Sequence, residues 1–137
     1  MQALGRQILV EFYDCDKEVL NDVVAIRDAM MEGTRRSGAT IVTDTFHAFS
    51  PHGVSGVVVI AESHVTIHTW PEYGYAAVDV FTCGETINPW VIQKHLEESF
   101  DSKKVSSMEM KRGLFDGPVT HKPIEAEEHA HEAELVG

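Results

Sequence analysis

Residues 64–70 alternate with a period of two: His64, Thr66, His68 and Trp70 fall on one side, and Val65, Ile67 and Thr69 on the other. Such a segment is a strand with one apolar face and one more polar face. Its neighbours read the same way. Residues 53–62 and 73–82 are rich in strand formers, with Ser50-Pro51-His52-Gly53 suiting a hairpin turn and Pro71-Glu72 turning the chain. Residues 39–50 predict one more strand before them. Hairpin-type links between successive strands favour an antiparallel sheet.

Upstream, residues 7–13 predict a strand that Asp14-Cys15-Asp16 ends, with Asp16 offered as a helix cap. Residues 17–37 then place Val19, Leu20, Val23, Ile26, Met30 and Met31 at helical spacing, and Gly38 stops that helix. Downstream, Gly84 breaks a strand and Pro89 sits in the first turn of a helix over 88–99. Trp90, Val91, His95 and Leu96 are available for its inner face, and residues 104–111 give a last strand.

The resulting order, β-α-β-β-β-β-α-β, predicts an α+β fold: an antiparallel sheet with two helices on one face. The other sheet face then needs cover. A second protomer packing sheet to sheet supplies it, giving a homodimer built as a four-layer α/β/β/α sandwich. The chain has 137 residues, the size of one domain, and a chain this short gains from burying an interface. The domain is expected over residues 1–112, with 113–137 a polar, acidic and flexible tail.

The formal charge of −11 argues against a nucleic-acid partner. Much of it lies in the tail, where Asp116, Glu125, Glu127, Glu128, Glu132 and Glu134 stand against Lys122. His121, His129 and His131 lie among those glutamates without a compact ligand set, so no metal site is expected. No apolar run is long enough to span a membrane, and the N-terminus lacks the regions of a signal peptide, which predicts a cytoplasmic protein. Cys15 and Cys83 are then free thiols, each reading first as a small buried hydrophobe.

The centre of the sequence, Glu62-Ser63-His64-Val65-Thr66-Ile67-His68-Thr69-Trp70-Pro71-Glu72, offers a serine and two histidines. A hydrolase triad is disfavoured because Ser63 lacks the Gly-x-Ser-x-Gly elbow that exposes a nucleophile. Ser63 stands instead in a tight junction between two predicted strands. A serine at a strained junction can attack the carbonyl before it, here that of Glu62, forming an ester. Elimination from that ester breaks the backbone and leaves a new carbonyl group on the second fragment.

The stretch from Gly53 to Gly84, with Ser55, Glu62-Ser63-His64, His68-Thr-Trp70-Pro-Glu72 and Thr-Cys83-Gly84, resembles the bacterial and archaeal S-adenosylmethionine decarboxylases. The likeness extends to Gly5-Arg6, to Phe46-His47-Ala48-Phe49 and into the Pro89-Trp90 helix, covering residues 4–112. It implies a self-cleaving, pyruvoyl-dependent enzyme that makes decarboxylated S-adenosylmethionine, the aminopropyl donor for spermidine. It further implies that Ser63 becomes the pyruvoyl group and forms the Schiff base with substrate, with the chain cut after Glu62. Ser55 and His68 would assist processing, Cys83 would return the proton after decarboxylation, Phe49 and Trp70 would sandwich the adenine, and Glu72 would hold the ribose hydroxyls.

The chain departs from the usual pattern at Gln7, where the family has a histidine, and at Asp14, where many members have glycine. Neither touches Ser63. Two other functions compete: a pyruvoyl-dependent arginine or ornithine decarboxylase, and a non-catalytic partner that activates a paralogue. Retention of Ser63, His68 and Cys83 together argues against the partner. His47 and His64 have no assigned chemistry and are read as structural, as is the Met30-Met31 pair.

Overall fold

The computed structural model describes residues 2–120. Of the tail expected to be flexible, residues 121–137, with the histidines at 121, 129 and 131, lie outside the described residues. The elements are β1 (Gln2–Tyr13), α1 (Lys17–Leu20), α2 (Val23–Arg36), β2 (Ile41–Ala48), β3 (Val54–Ile60), β4 (Ser63–Trp70), a 3-10 turn (Pro71–Tyr73), β5 (Tyr75–Cys83), α3 (Pro89–Ser99) and β6 (Lys104–Phe115).

The strands form one sheet of six in the order β2-β3-β4-β5-β1-β6. Every neighbouring pair is antiparallel. The period-two patterning puts Ile8, Val10 and Phe12 of β1, Val58 and Ile60 of β3, Val65 and Ile67 of β4, and Val78 and Val80 of β5 into the core. Leu20, Ile26, Met30, Ile92, Leu96 and Phe100 are buried with them. The rings of Phe12 and Phe100 meet edge to face, 5.5 Å apart, a contact worth about 1 kcal/mol beyond the area it buries.

Three readings of the sequence need correction. The single helix expected over 17–37 is two, because Asp22 accepts from the backbone N–H groups of Val24 and Ala25 and restarts the helix after Leu20. Asp16 caps the first of them as expected, and Gly38, at φ +92°, follows the second. In α3 the inner face is Pro89, Ile92 and Leu96, while Trp90 is exposed. The Asn88 cap starts the helix with Pro89 inward, which turns the next residue toward solvent. Finally, β1 and β6 are longer than expected, since residues 2–5 pair with residues 112–115 across the far end of the ladder. β6 thus runs past residue 112, and the Val119 N–H donates to Gln2 Oε1 at 2.9 Å.

Among the described residues, no helix covers the second sheet face. Register puts Ser55, His64, Thr66, His68, Trp70, Asp79, Phe81 and Cys83 on it, with Gln7, Leu9 and Glu11 of β1 and Met108, Met110 and Arg112 of β6. Leu9, Met108 and Met110 are 44%, 62% and 53% exposed. No helix among the described residues is long and apolar enough to cross a membrane.

Candidate active site

The β3–β4 hairpin is closed by a two-residue link, Ala61-Glu62, between the paired residues Ile60 and Ser63. Glu62 has φ +64°. That left-handed conformation costs a residue with a side chain about 1–2 kcal/mol, and the sheet on both sides of the link holds it in place. The strain expected at this junction thus falls on the residue whose carbonyl Ser63 would attack. The Ser63 Oγ is buried and has no hydrogen-bond partner among the described residues. Buried hydroxyls are nearly always paired, so an exception calls for an explanation, of which a role in chemistry is one.

Cys83 ends β5, and its thiol donates to the Glu62 carbonyl oxygen at 3.3 Å. Room for it is left by Gly5 on the adjacent β1, where a Cβ would stand 3.3 Å from the sulfur and 2.8 Å from the Thr82 carbonyl oxygen. Cys83 is a free thiol. Partial burial pushes its pKa up, and the Glu62 charge adds to the effect. The sulfur is therefore a neutral S–H donor at ordinary pH, suited to polarising a carbonyl or delivering a proton.

A second group of residues gathers elsewhere. Ser55 and His68 are directly opposed across β3 and β4, with Ser55 Oγ 2.8 Å from His68 Nδ1. Phe49, Ser55, His68, Trp70 and Glu72 line one recess of about 410 Å³. Phe49 and Trp70 are 50% and 40% exposed. Glu72, on the 3-10 turn, is held through Oε2 by His52 Nε2 at 2.6 Å. Among the described residues, no group of three or more His, Cys, Asp or Glu is placed to hold a metal.

Within one chain these two groups do not meet. His68 lies five residues along β4 from Ser63, about 16 Å at the rise of a strand. His68 therefore does not reach the Ser63 junction within its own chain. Cys83 reaches the junction, whereas Ser55, His68, Trp70, Phe49 and Glu72 stand at the far end of the hairpin.

Between them lies a network centred on Asp79 that takes in His64, a residue with no assigned chemistry in the sequence. Asp79 of β5 accepts from Gln7 Nε2 at 2.8 Å, pairs with His64 Nε2 at 3.0 Å and accepts from the Thr66 hydroxyl. Arg112 donates to Gln7 Oε1 at 2.9 Å and stacks over the Phe81 ring. The one signal for this network was an aspartate in the interior of an otherwise apolar strand.

Fold and site define a class: a small antiparallel α+β protein whose strained hairpin joins an unpaired serine to a carbonyl held by a thiol, as suits a chain that processes itself. The family model described as S-adenosylmethionine decarboxylase matches residues 6–113, and the chain belongs to that family. It is 58% identical over 116 residues to the S-adenosylmethionine decarboxylase proenzyme of Thermotoga petrophila, covering 85% of this chain and 89% of that one. With the proenzyme of the same name from Acidithiobacillus ferrooxidans it shares 60% identity over 116 residues, covering 85% and 87%. The crystal structure of the adenosylmethionine decarboxylase of Aquifex aeolicus superposes with a TM-score of 0.80 at 30% identity, covering 88% of this chain and all of that one.

Proposed function

We propose that this chain is a proenzyme that cleaves itself between Glu62 and Ser63 and then decarboxylates S-adenosylmethionine, as a homodimer whose active sites each draw on two copies. The observation that carries the first part is the Cys83 thiol on the Glu62 carbonyl beside the unpaired Ser63 hydroxyl. Attack by Ser63 Oγ on the Glu62 carbonyl carbon puts negative charge on the oxygen that Cys83 already touches. Collapse releases the Ser63 amine and leaves an ester. Removal of the Ser63 α-proton then expels the Glu62 carboxylate, and hydrolysis with loss of ammonia leaves a pyruvoyl group at the new terminus.

The residues fit that group: its parent hydroxyl is unpaired, and a neutral thiol lies beside the bond that would be cut. A pyruvoyl group supplies an electron-accepting carbonyl for the decarboxylation of an amino acid. The chain's own residues supply the rest. Cys83 returns a proton to the carbon that loses carboxylate. Phe49 and Trp70 stack on the adenine, which favours S-adenosylmethionine over arginine or ornithine, and Glu72 accepts from the ribose hydroxyls. Product released here serves as the aminopropyl donor of spermidine synthesis. The chemistry needs Cys83 reduced, as a cytoplasm would keep it.

Sharing between copies follows from the spacing along β4. His68, the proton carrier for processing, is too far from Ser63 in its own chain. A twofold axis lying between two facing sheets, perpendicular to β4, runs the two β4 strands antiparallel. The Ser63 end of one copy then lies over the Ser55–His68 end of the other. The helix-free face, with Leu9, Met108 and Met110 exposed on it, is the surface that such packing covers.

Mass spectrometry of incubated protein tests the cleavage. Fragments 1–62 and 63–137 are expected, the second lighter by one ammonia than a serine-started chain. Carbon dioxide release is then measured with S-adenosylmethionine, arginine and ornithine. An intact chain of 15.2 kDa after prolonged incubation, or release from arginine or ornithine alone, defeats the proposal.

A further inference from the structure

His52 lies in the turn between β2 and β3, where its sequence context suggests nothing beyond a hairpin. Its ring nevertheless reaches across to the 3-10 turn, with Nε2 2.6 Å from Glu72 Oε2. The turn that carries it is anchored on both sides. The Gly53 N–H donates to Asn21 Oδ1 at 2.9 Å, the Phe49 N–H donates to the Gly53 carbonyl at 2.8 Å, and the Val54 N–H donates to Thr69 Oγ1 at 2.9 Å. The ring is thus presented by a fixed backbone. Glu72 has no other hydrogen-bond partner among the described residues, so its second oxygen is left for a ligand. The recess of Phe49, Ser55, His68 and Trp70 lies on one side of the His52–Glu72 pair, and a second hollow, with Lys17, Glu18 and Asn21, lies on the other.

We propose that His52 is a positioning residue for substrate: by holding Glu72 Oε2 it fixes the carboxylate so that Oε1 faces the recess, and it ties the turn carrying Phe49 to the turn carrying Glu72. The inference rests on the reading of Glu72 as the ribose contact. An unrestrained glutamate on an exposed turn would have to be ordered by substrate itself, so the pair lowers the cost of binding. Facing an acceptor-only carboxylate, the ring serves as the donor through Nε2. Lys17 and Glu18 are the other charged groups lining the outer hollow, of opposite sign.

The test compares His52→Phe, which keeps a ring but removes the donor, with His52→Gln, which restores a donor without the ring. Both should process normally into fragments 1–62 and 63–137, which reports their folding. His52→Phe should raise KM for S-adenosylmethionine about tenfold with kcat nearly unchanged, the loss of one hydrogen bond to a charged group. His52→Gln should return KM to within about threefold of wild type. Glu72→Gln should raise KM at least as much, and adding His52→Phe to it should raise KM no further. Wild-type KM in His52→Phe, or equal damage in His52→Gln, overturns the role of His52 while leaving Glu72 as a ligand contact. Wild-type KM in Glu72→Gln overturns the reading of Glu72, and this inference with it.

Discussion

The thiol of Cys83 donates to the carbonyl oxygen of Glu62 at 3.3 Å, which places one side chain beside the bond that processing would break and the group that catalysis would use. Cys83→Ala should therefore slow cleavage without abolishing it, since strain at Glu62 and the free Ser63 hydroxyl remain. Processed Cys83→Ala protein should decarboxylate on the order of a hundredfold more slowly, as expected on losing a positioned general acid. Time courses of fragment formation and of carbon dioxide release measure the two effects separately. Wild-type turnover by processed Cys83→Ala protein would remove the thiol from the mechanism.

The pH dependence follows from burial, which raises the Cys83 pKa. Folding then favours the protonated thiol, so its contribution to stability is fully present below the ordinary thiol value, about 8.5, and is lost as pH rises through the higher folded value. Ser63→Ala protein, which cannot process, should lose stability over that alkaline window more than the same protein carrying Cys83→Ala. Alkylation of Cys83 by iodoacetamide, followed by mass spectrometry, should stay slow until pH exceeds the ordinary thiol value. A midpoint at or below that value contradicts the assignment.

Glu62 holds a left-handed conformation, at φ +64°, that glycine adopts freely. In the Ser63→Ala background, Glu62→Gly should stabilise the protein by about 1 kcal/mol in thermal or urea unfolding. If that strain is released on the way to the ester, Glu62→Gly with Ser63 intact should process up to about fivefold more slowly. Unchanged processing beside raised stability would mean that the strain is not used.

Much of this was legible in the sequence, and the limits have physical causes. Period-two alternation set β4 and its neighbours, because one face of each strand meets a core and the other does not. The Asp22 cap was missed because the apolar spacing runs through it, and only the side chain's choice of Val24 and Ala25 N–H groups shows the break. The first residues of β1 were missed because their strand character comes from pairing with residues 112–115, which no local pattern contains. Site residues are readable as a constellation, whereas their division between the two ends of the hairpin appears only in the register of β3 on β4. His52 and Asp79 became visible only as partners of Glu72 and of His64.

The separation of Ser63 from His68 gives the sharpest test of assembly. Ser63→Ala alone has no nucleophile, and His68→Ala alone lacks the residue proposed to move protons during processing, so neither homodimer should cleave efficiently. In a mixed dimer with shared sites, one site is doubly defective. The other joins Ser63 of the His68→Ala chain to His68 of the Ser63→Ala chain, and is intact. Co-expression of the two variants in equal amounts, with random pairing, should cleave up to about half of the His68→Ala chains and none of the Ser63→Ala chains. Differently tagged variants allow mixed dimers to be isolated and each chain to be identified by mass. Isolated mixed dimers in which both chains stay intact would show that the second copy does not complete the site. Efficient cleavage of His68→Ala protein on its own would show that His68 is not needed from either copy. Cleavage confined to the His68→Ala chain of the mixed dimer is the outcome that the proposed sharing of sites requires, with Ser55 and His68 at one end of the hairpin and Ser63 at the other.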